Sequence, residues 1–101
     1  DHPKRDYADI APLPLKGEPE ATLEHIAAII EGMEGGKVIK REPGYLYAQF
    51  TTRLMKYVDD VEFWFDPDAT VIHVRSASRL GSSDLGVNRN RIESIREKLG
   101  S

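Results

Sequence analysis

The chain has 101 residues, of which 40% are hydrophobic and 31% charged, the balance of one small globular domain rather than a disordered segment. A domain of this size hides only roughly 60–65% of its unfolded surface, so its core is one layer deep and any site lies in a shallow groove or a loop. The net charge is −3, cysteine is absent, and no apolar run approaches the roughly 18 residues that span a bilayer; disulfides, thiolate catalysis and cysteine-bound metal are therefore excluded.

Residues 1–16 read as an extended N-terminal arm. Asp1-His2-Pro3-Lys4-Arg5-Asp6 is polar and broken by proline, and Ile10-Ala11-Pro12-Leu13-Pro14-Leu15 is apolar but twice interrupted by proline. Missing backbone donors argue against a central strand there, while Leu13 and Leu15 share a side and have something to bury. Residues 17–101 form a single α+β domain. Gly17-Glu18-Pro19-Glu20 starts a helix, with proline at its first position and acids at the positive end of the dipole. Leu23, Ile26, Ala27, Ile30 and Met33 then make one apolar stripe, which Gly35-Gly36 stops.

Strand signals follow. Val38–Arg41 is short, and Glu42-Pro43-Gly44 is a turn. Along Tyr45–Thr52, Leu46, Ala48 and Phe50 alternate with Tyr45, Tyr47, Gln49 and Thr51. Val61, Phe63 and Phe65 alternate with Asp60, Glu62 and Trp64, and Asp66-Pro67-Asp68-Ala69 is the clearest turn of the chain. Ile72, Val74 and Ser76 alternate with Val71, His73, Arg75 and Ala77. Tightly linked consecutive strands pair antiparallel, so this pattern predicts a four-stranded meander. Ser78–Ser83 reads as a loop, Ser83 or Asp84 as a helix cap, and Leu85, Asn88, Ile92, Ile95 and Leu99 as the stripe of a second helix ending at Gly100. The expected fold is a two-layer α+β sandwich, with both helices on one face of a four-stranded antiparallel sheet.

Phosphate-loop, zinc-protease, nucleophile-elbow and calcium-loop motifs are absent. His2, His25 and His73 lack the short paired spacing of a zinc site, so no metal and no cofactor is expected. Two constellations remain. The first is the C-terminal stretch, where Arg75, Arg79, Arg89, Arg91, Arg96 and Lys98 outnumber Asp84, Glu93 and Glu97, while the rest of the chain is acidic. Arg75, Arg79, Ser83, Asp84, Asn88, Arg89 and Arg91 make a candidate site for a small anion, with guanidinium groups around a helix start. Equally concrete is a clasp in which Asp84 and Asn88 tie the loop to the helix. The second is the sheet face carrying Tyr45, Tyr47, Gln49, Glu62, Trp64, His73 and Arg75, suited to stacking a ring, holding a sugar or docking a protein partner; its plain alternative is a surface covered by the N-terminal arm. Acidic residues among the aromatics, and the weak positive field, argue against nucleic acid. Glu62, His73 and Arg75 are the residues an enzyme would use, and self-association through Tyr47 and Trp64 is the third alternative, but the leading expectation is a non-catalytic binding or interaction module.

Phe50-Thr51-Thr52-Arg53-Leu54-Met55-Lys56-Tyr57-Val58-Asp59-Asp60-Val61-Glu62-Phe63, Val71-Ile72-His73-Val74-Arg75-Ser76-Ala77-Ser78-Arg79 and Gly81 with Ser83-Asp84-Leu85-Gly86-Val87-Asn88-Arg89 follow one another in a familiar order and spacing. They give the chain, from about Ile10 to Leu99, a resemblance to the domain of unknown function 1499 family. The family has no established activity and supplies no catalytic residues. Its members often carry a cysteine-containing segment and an export signal, lipoprotein signal or membrane span ahead of this region. The resemblance thus implies a cell-envelope location, with membrane attachment only through a segment that this chain does not include. The chain starts at Asp1 rather than methionine and is expected to be a processed or truncated piece.

Overall fold

A computed structural model describes residues 7–8, 10–15, 17–52, 57–78 and 85–100, with the backbone alone at 7–8, 78 and 85–88. In chain order the elements are β1 (Tyr7–Ala8), β2 (Leu13–Pro14), α1 (Pro19–Glu31), β3 (Gly36–Glu42), β4 (Tyr45–Thr51), β5 (Val58–Asp66), β6 (Val71–Ser78) and α2 (Leu85–Gly100). The meander β3-β4-β5-β6 is antiparallel throughout, as the turn chemistry implies. At its first turn Gly44 has φ +72°, and at its last the Asp66 carboxylate accepts from the backbone N–H of Asp68 and Ala69, an Asx turn.

The expected four-stranded sheet is corrected by the arm. The sheet is five strands wide, because β1 and β2 both pair with the outer edge of β6, in the registers Tyr7↔Ala77 and Leu13↔Ile72. Proline bars a segment from the middle of a sheet but not from its edge. The arm therefore occupies an edge that would otherwise offer unpaired backbone groups to another chain. Between β1 and β2 the carbonyls of Ala11 and Pro12 accept from the Arg96 guanidinium of α2, at 2.8 and 2.7 Å. The arm also feeds the core directly, since Leu13 is fully buried and Ile10 nearly so.

Register decides which side chains make that core. Leu46 lies opposite Phe63, Ala48 opposite Val61, Phe63 opposite Val74 and Phe65 opposite Ile72, and directly paired residues project to the same side. Leu46, Ala48, Phe50, Val61, Phe63, Ile72 and Val74 are buried and form a single cluster with Leu23, Ile26, Ala27 and Ile30 of α1 and Ile92, Ile95 and Leu99 of α2. The two helices also touch each other.

Helix α1 begins as its sequence dictates, with Pro19 following the N-cap Glu18; the buried Thr22 hydroxyl donates back to the Glu18 carbonyl at 2.9 Å. Its glutamates tie it to the opposite edge of the sheet. Glu20 accepts from the Gly44 N–H, Glu24 from Arg41, and Glu31 from the Val38 N–H, at 2.7, 2.7 and 2.8 Å. The Val38 contact lies where the β3–β4 register shifts between Val38 and Lys40. Bulge, basic residues and borrowed carboxylate together blunt this edge.

The helix-to-strand passage is tight at Gly35, where φ is +79° and an added Cβ would stand 2.4 Å from the Thr51 carbonyl oxygen. Gly32, at the C-cap with φ −89°, has only ordinary contacts around that position, at 3.6 and 3.7 Å. Gly35→Ala is accordingly expected to cost about 1–3 kcal/mol in urea unfolding, whereas Gly32→Ala leaves stability unchanged or slightly raised. Equal stabilities for the two variants would show that the passage has slack.

Candidate functional site

Residues of opposite parity emerge on the other side of the sheet. Tyr45, Trp64 and His73 form one cross-strand row, Tyr47, Glu62 and Arg75 the next, and Gln49, Asp60 and Ala77 the third. Trp64 keeps 38% of its surface exposed. The N-terminal arm does not cover this face with Leu13, which lies in the core instead. Tyr47, Asp60, Glu62, Arg75 and Ala77 line a shallow depression of about 330 Å³.

The polar groups of this face are cross-braced. The Tyr47 hydroxyl donates to Asp60 Oδ1 and accepts from the Gln49 amide at 2.9 Å. Tyr45 donates to Glu62 Oε2 at 2.8 Å, and Arg75 Nη1 stands 4.0 Å from the other oxygen, Glu62 Oε1. One row along, His73 Nε2 meets Asp66 Oδ2 at 2.9 Å, and the imidazole lies 5.6 Å from the Trp64 ring, tilted by 36°. Two titrations are displaced by these contacts. Partial burial, then the hydrogen bond and charge of Glu62, push Tyr45 up to about 12. The hydrogen bond with His73, supported by the backbone N–H of Asp68, holds Asp66 below the usual carboxylate range.

The arginine-rich constellation is distributed differently from its sequence. Arg75 lies on the sheet face just described. Arg91 turns to the other side, where its guanidinium meets Asp59 Oδ2 at 2.9 Å and covers the Phe50 ring, 4.5 Å from its centroid. Both charged side chains are nearly buried, at 11% and 7% exposure. Asp59 shares the parity of Val61 and Phe63, and its register partners are Phe50 and Ser78. Arg75 and Arg91 therefore serve opposite sides of the sheet. Arg89 is exposed on α2, with no ion pair among the described residues. Arg79, Ser83 and Asp84 lie outside the described residues, as does the side chain of Asn88.

The enzymatic grouping is likewise divided. Glu62 and Arg75 face each other, but the partner of His73 is Asp66 rather than Glu62. His25 is exposed on α1, and among the described residues no set of three or more histidine, aspartate or glutamate side chains is placed to hold a metal. No described helix is long and apolar enough to cross a membrane. Sequence reading passed over Asp59, Asp60 and Asp66 as ligand or clasp residues. The parity of Asp59 with Val61 was the available signal for a carboxylate on the core side.

These features define a small antiparallel α+β domain with a braced, aromatic-bearing polar sheet face opposite its core. The chain belongs to the DUF1499 family, described as a protein of unknown function, whose model matches residues 1–99. No curated protein and no solved structure matches it.

Two measurements probe this geometry. Titrating tyrosinate absorbance should resolve one tyrosine ionising near 12, absent in Tyr45→Phe and moved toward the ordinary range in Glu62→Gln. Because the folded value is raised, Tyr45 contributes stability present below its unfolded pKa and lost as pH rises through the folded one; four tyrosines titrating together in the folded protein would refute the assignment. Separately, Arg91→Ala leaves Asp59 buried without its cation and should cost about 3–5 kcal/mol in urea unfolding. Asp59→Asn/Arg91→Met should recover a substantial part of that loss, and equal destabilisation of both variants would mean the loss comes from packing.

Proposed function

We propose that the protein is a non-catalytic binding module whose recognition surface is the sheet face bearing Tyr45, Tyr47, Glu62, Trp64, His73 and Arg75. The observation carrying this reading is the depression over Tyr47, Asp60, Glu62, Arg75 and Ala77, set among side chains already held by neighbours. Braced polar groups lose little freedom when a ligand arrives, which favours recognition. Both helices are taken to cover the reverse face, a placement supported by the shared apolar cluster. The separation of His73 from Glu62 favours binding over proton transfer.

A small anion near Arg79, Ser83, Asp84 and Arg89 is the second reading, favoured by the exposed cation at Arg89 and the positive balance of the C-terminal third. Family resemblance supports a cell-envelope location.

A thermal-shift screen of anionic, cationic and neutral small molecules separates these readings. A ligand at tenfold excess over its Kd adds about 1.4 kcal/mol, or roughly 5–10 °C for a domain of this size. Shifts lost in Arg75→Ala but retained in Arg89→Ala are expected. The reverse pattern assigns the site to the C-terminal helix, and a flat screen overturns the binding reading.

A further inference from the structure

The gap between Arg75 Nη1 and Glu62 Oε1 points to the chemistry of the ligand. At 4.0 Å the two atoms are too far apart for a direct hydrogen bond. A hydroxyl oxygen set off the line between them, about 2.8 Å from each, accepts from the guanidinium and donates to the carboxylate at once. An anion there faces Glu62 and Asp60, and a cation is drawn to those carboxylates but meets Arg75, whereas a neutral hydroxyl meets a donor and an acceptor together. Both residues line the depression, so the gap opens onto the space a ligand would enter.

A second observation extends the surface. Trp64 follows Glu62 by two residues on the same side of β5, about 7 Å along the strand. Its register partner is Tyr45, whose hydroxyl is bonded to Glu62. The half-exposed indole thus adjoins the polar depression and offers an apolar ring beside paired donors and acceptors. Pyranose sugars present this combination in reverse, with C–H faces that lie on aromatic rings and rims of hydroxyls that both donate and accept. We infer that this face binds a neutral, polyhydroxylated ligand of mono- or disaccharide size. One face of the sugar would rest on Trp64 and one hydroxyl would bridge Arg75 and Glu62. The inference depends on the sheet face being the recognition surface, as proposed above, and adds the ligand class.

The chain carries a single tryptophan, so its fluorescence reports on this surface alone. The experiment titrates a panel of neutral mono- and disaccharides into the full chain, following tryptophan emission and backbone amide chemical shifts, with sodium phosphate and spermidine as charged comparisons. At least one sugar should produce a saturable change, with amide shifts centred on Tyr47, Asp60, Glu62, Trp64 and Arg75. Affinity should fall tenfold or more in both Arg75→Ala and Glu62→Ala, each checked for folding by circular dichroism. Tyr45→Phe, which only frees the Glu62 carboxylate, should weaken binding less. Shifts at these amides from phosphate or spermidine alone would overturn the sugar assignment while leaving the binding surface intact. Shifts that appear without ligand as protein concentration rises would assign the face to a second copy of the chain and overturn the sugar. A face untouched by every compound would overturn both the ligand class and the surface.

Discussion

Strict alternation along paired strands is the constraint on which this molecule depends. A one-residue slip between β4 and β5 would move Leu46, Ala48 and Phe50 to the side of Tyr45, Tyr47 and Gln49 and empty the core. A small domain has no second core to absorb that loss. The register is held at both ends of the β5–β6 hairpin. The Asp66 carboxylate fixes the turn at one end, and Asp59, locked to Arg91, fixes the other side of β5 against α2. The surface on the reverse inherits its precision from this: Glu62 meets Arg75, and Trp64 meets His73, because Phe63 meets Val74 underneath.

The two edges of the sheet are closed by different means, and both closures involve a helix. On the β6 side the arm adds short paired segments, and Arg96 of α2 donates to the carbonyls of Ala11 and Pro12 between them. On the β3 side α1 supplies carboxylates to Arg41 and to the backbone of Val38 and Gly44. Charged residues that look in the sequence like a solvated helix surface thus serve to fasten the sheet margins. Exposed ion pairs of this kind contribute little stability individually. Glu31 and Arg96 nevertheless occupy backbone groups that would otherwise seek partners, which bears on specificity more than on stability.

Much of this was legible from residue order. The stripe from Leu23 to Ile30, the turn at Asp66, the alternation in β4 to β6 and the emergence of Trp64 opposite Phe63 follow from periodicity and turn chemistry alone. The arm's pairing was not legible, because proline's exclusion from central strands says nothing about whether an edge is vacant nearby. Arg91 illustrates a different limit. Its place three residues beyond Asn88 and four before Ile95 puts it beside the apolar stripe of α2, so helix spacing allowed either an exposed cation or a covered one. Only the register that puts Asp59 next to Phe50 decides between them, and that is a relation between segments more than thirty residues apart.

Charge composition has the same limit. The positive excess after Arg75 suggests a cluster, yet three of the arginines of that stretch serve separate places: Arg75 the polar sheet surface, Arg91 a buried carboxylate, Arg96 the arm. A strand and a helix distribute neighbours in sequence to opposite sides of a sheet, so local density of one charge does not by itself create a local field. What the sheet face gathers instead is two carboxylates, Asp60 and Glu62, and one guanidinium, Arg75, beside tyrosine hydroxyls and an indole. Charges of both signs set side by side suit ligand groups that donate and accept together. The chemistry of this surface is therefore set by cross-strand pairing rather than by the composition of any one segment.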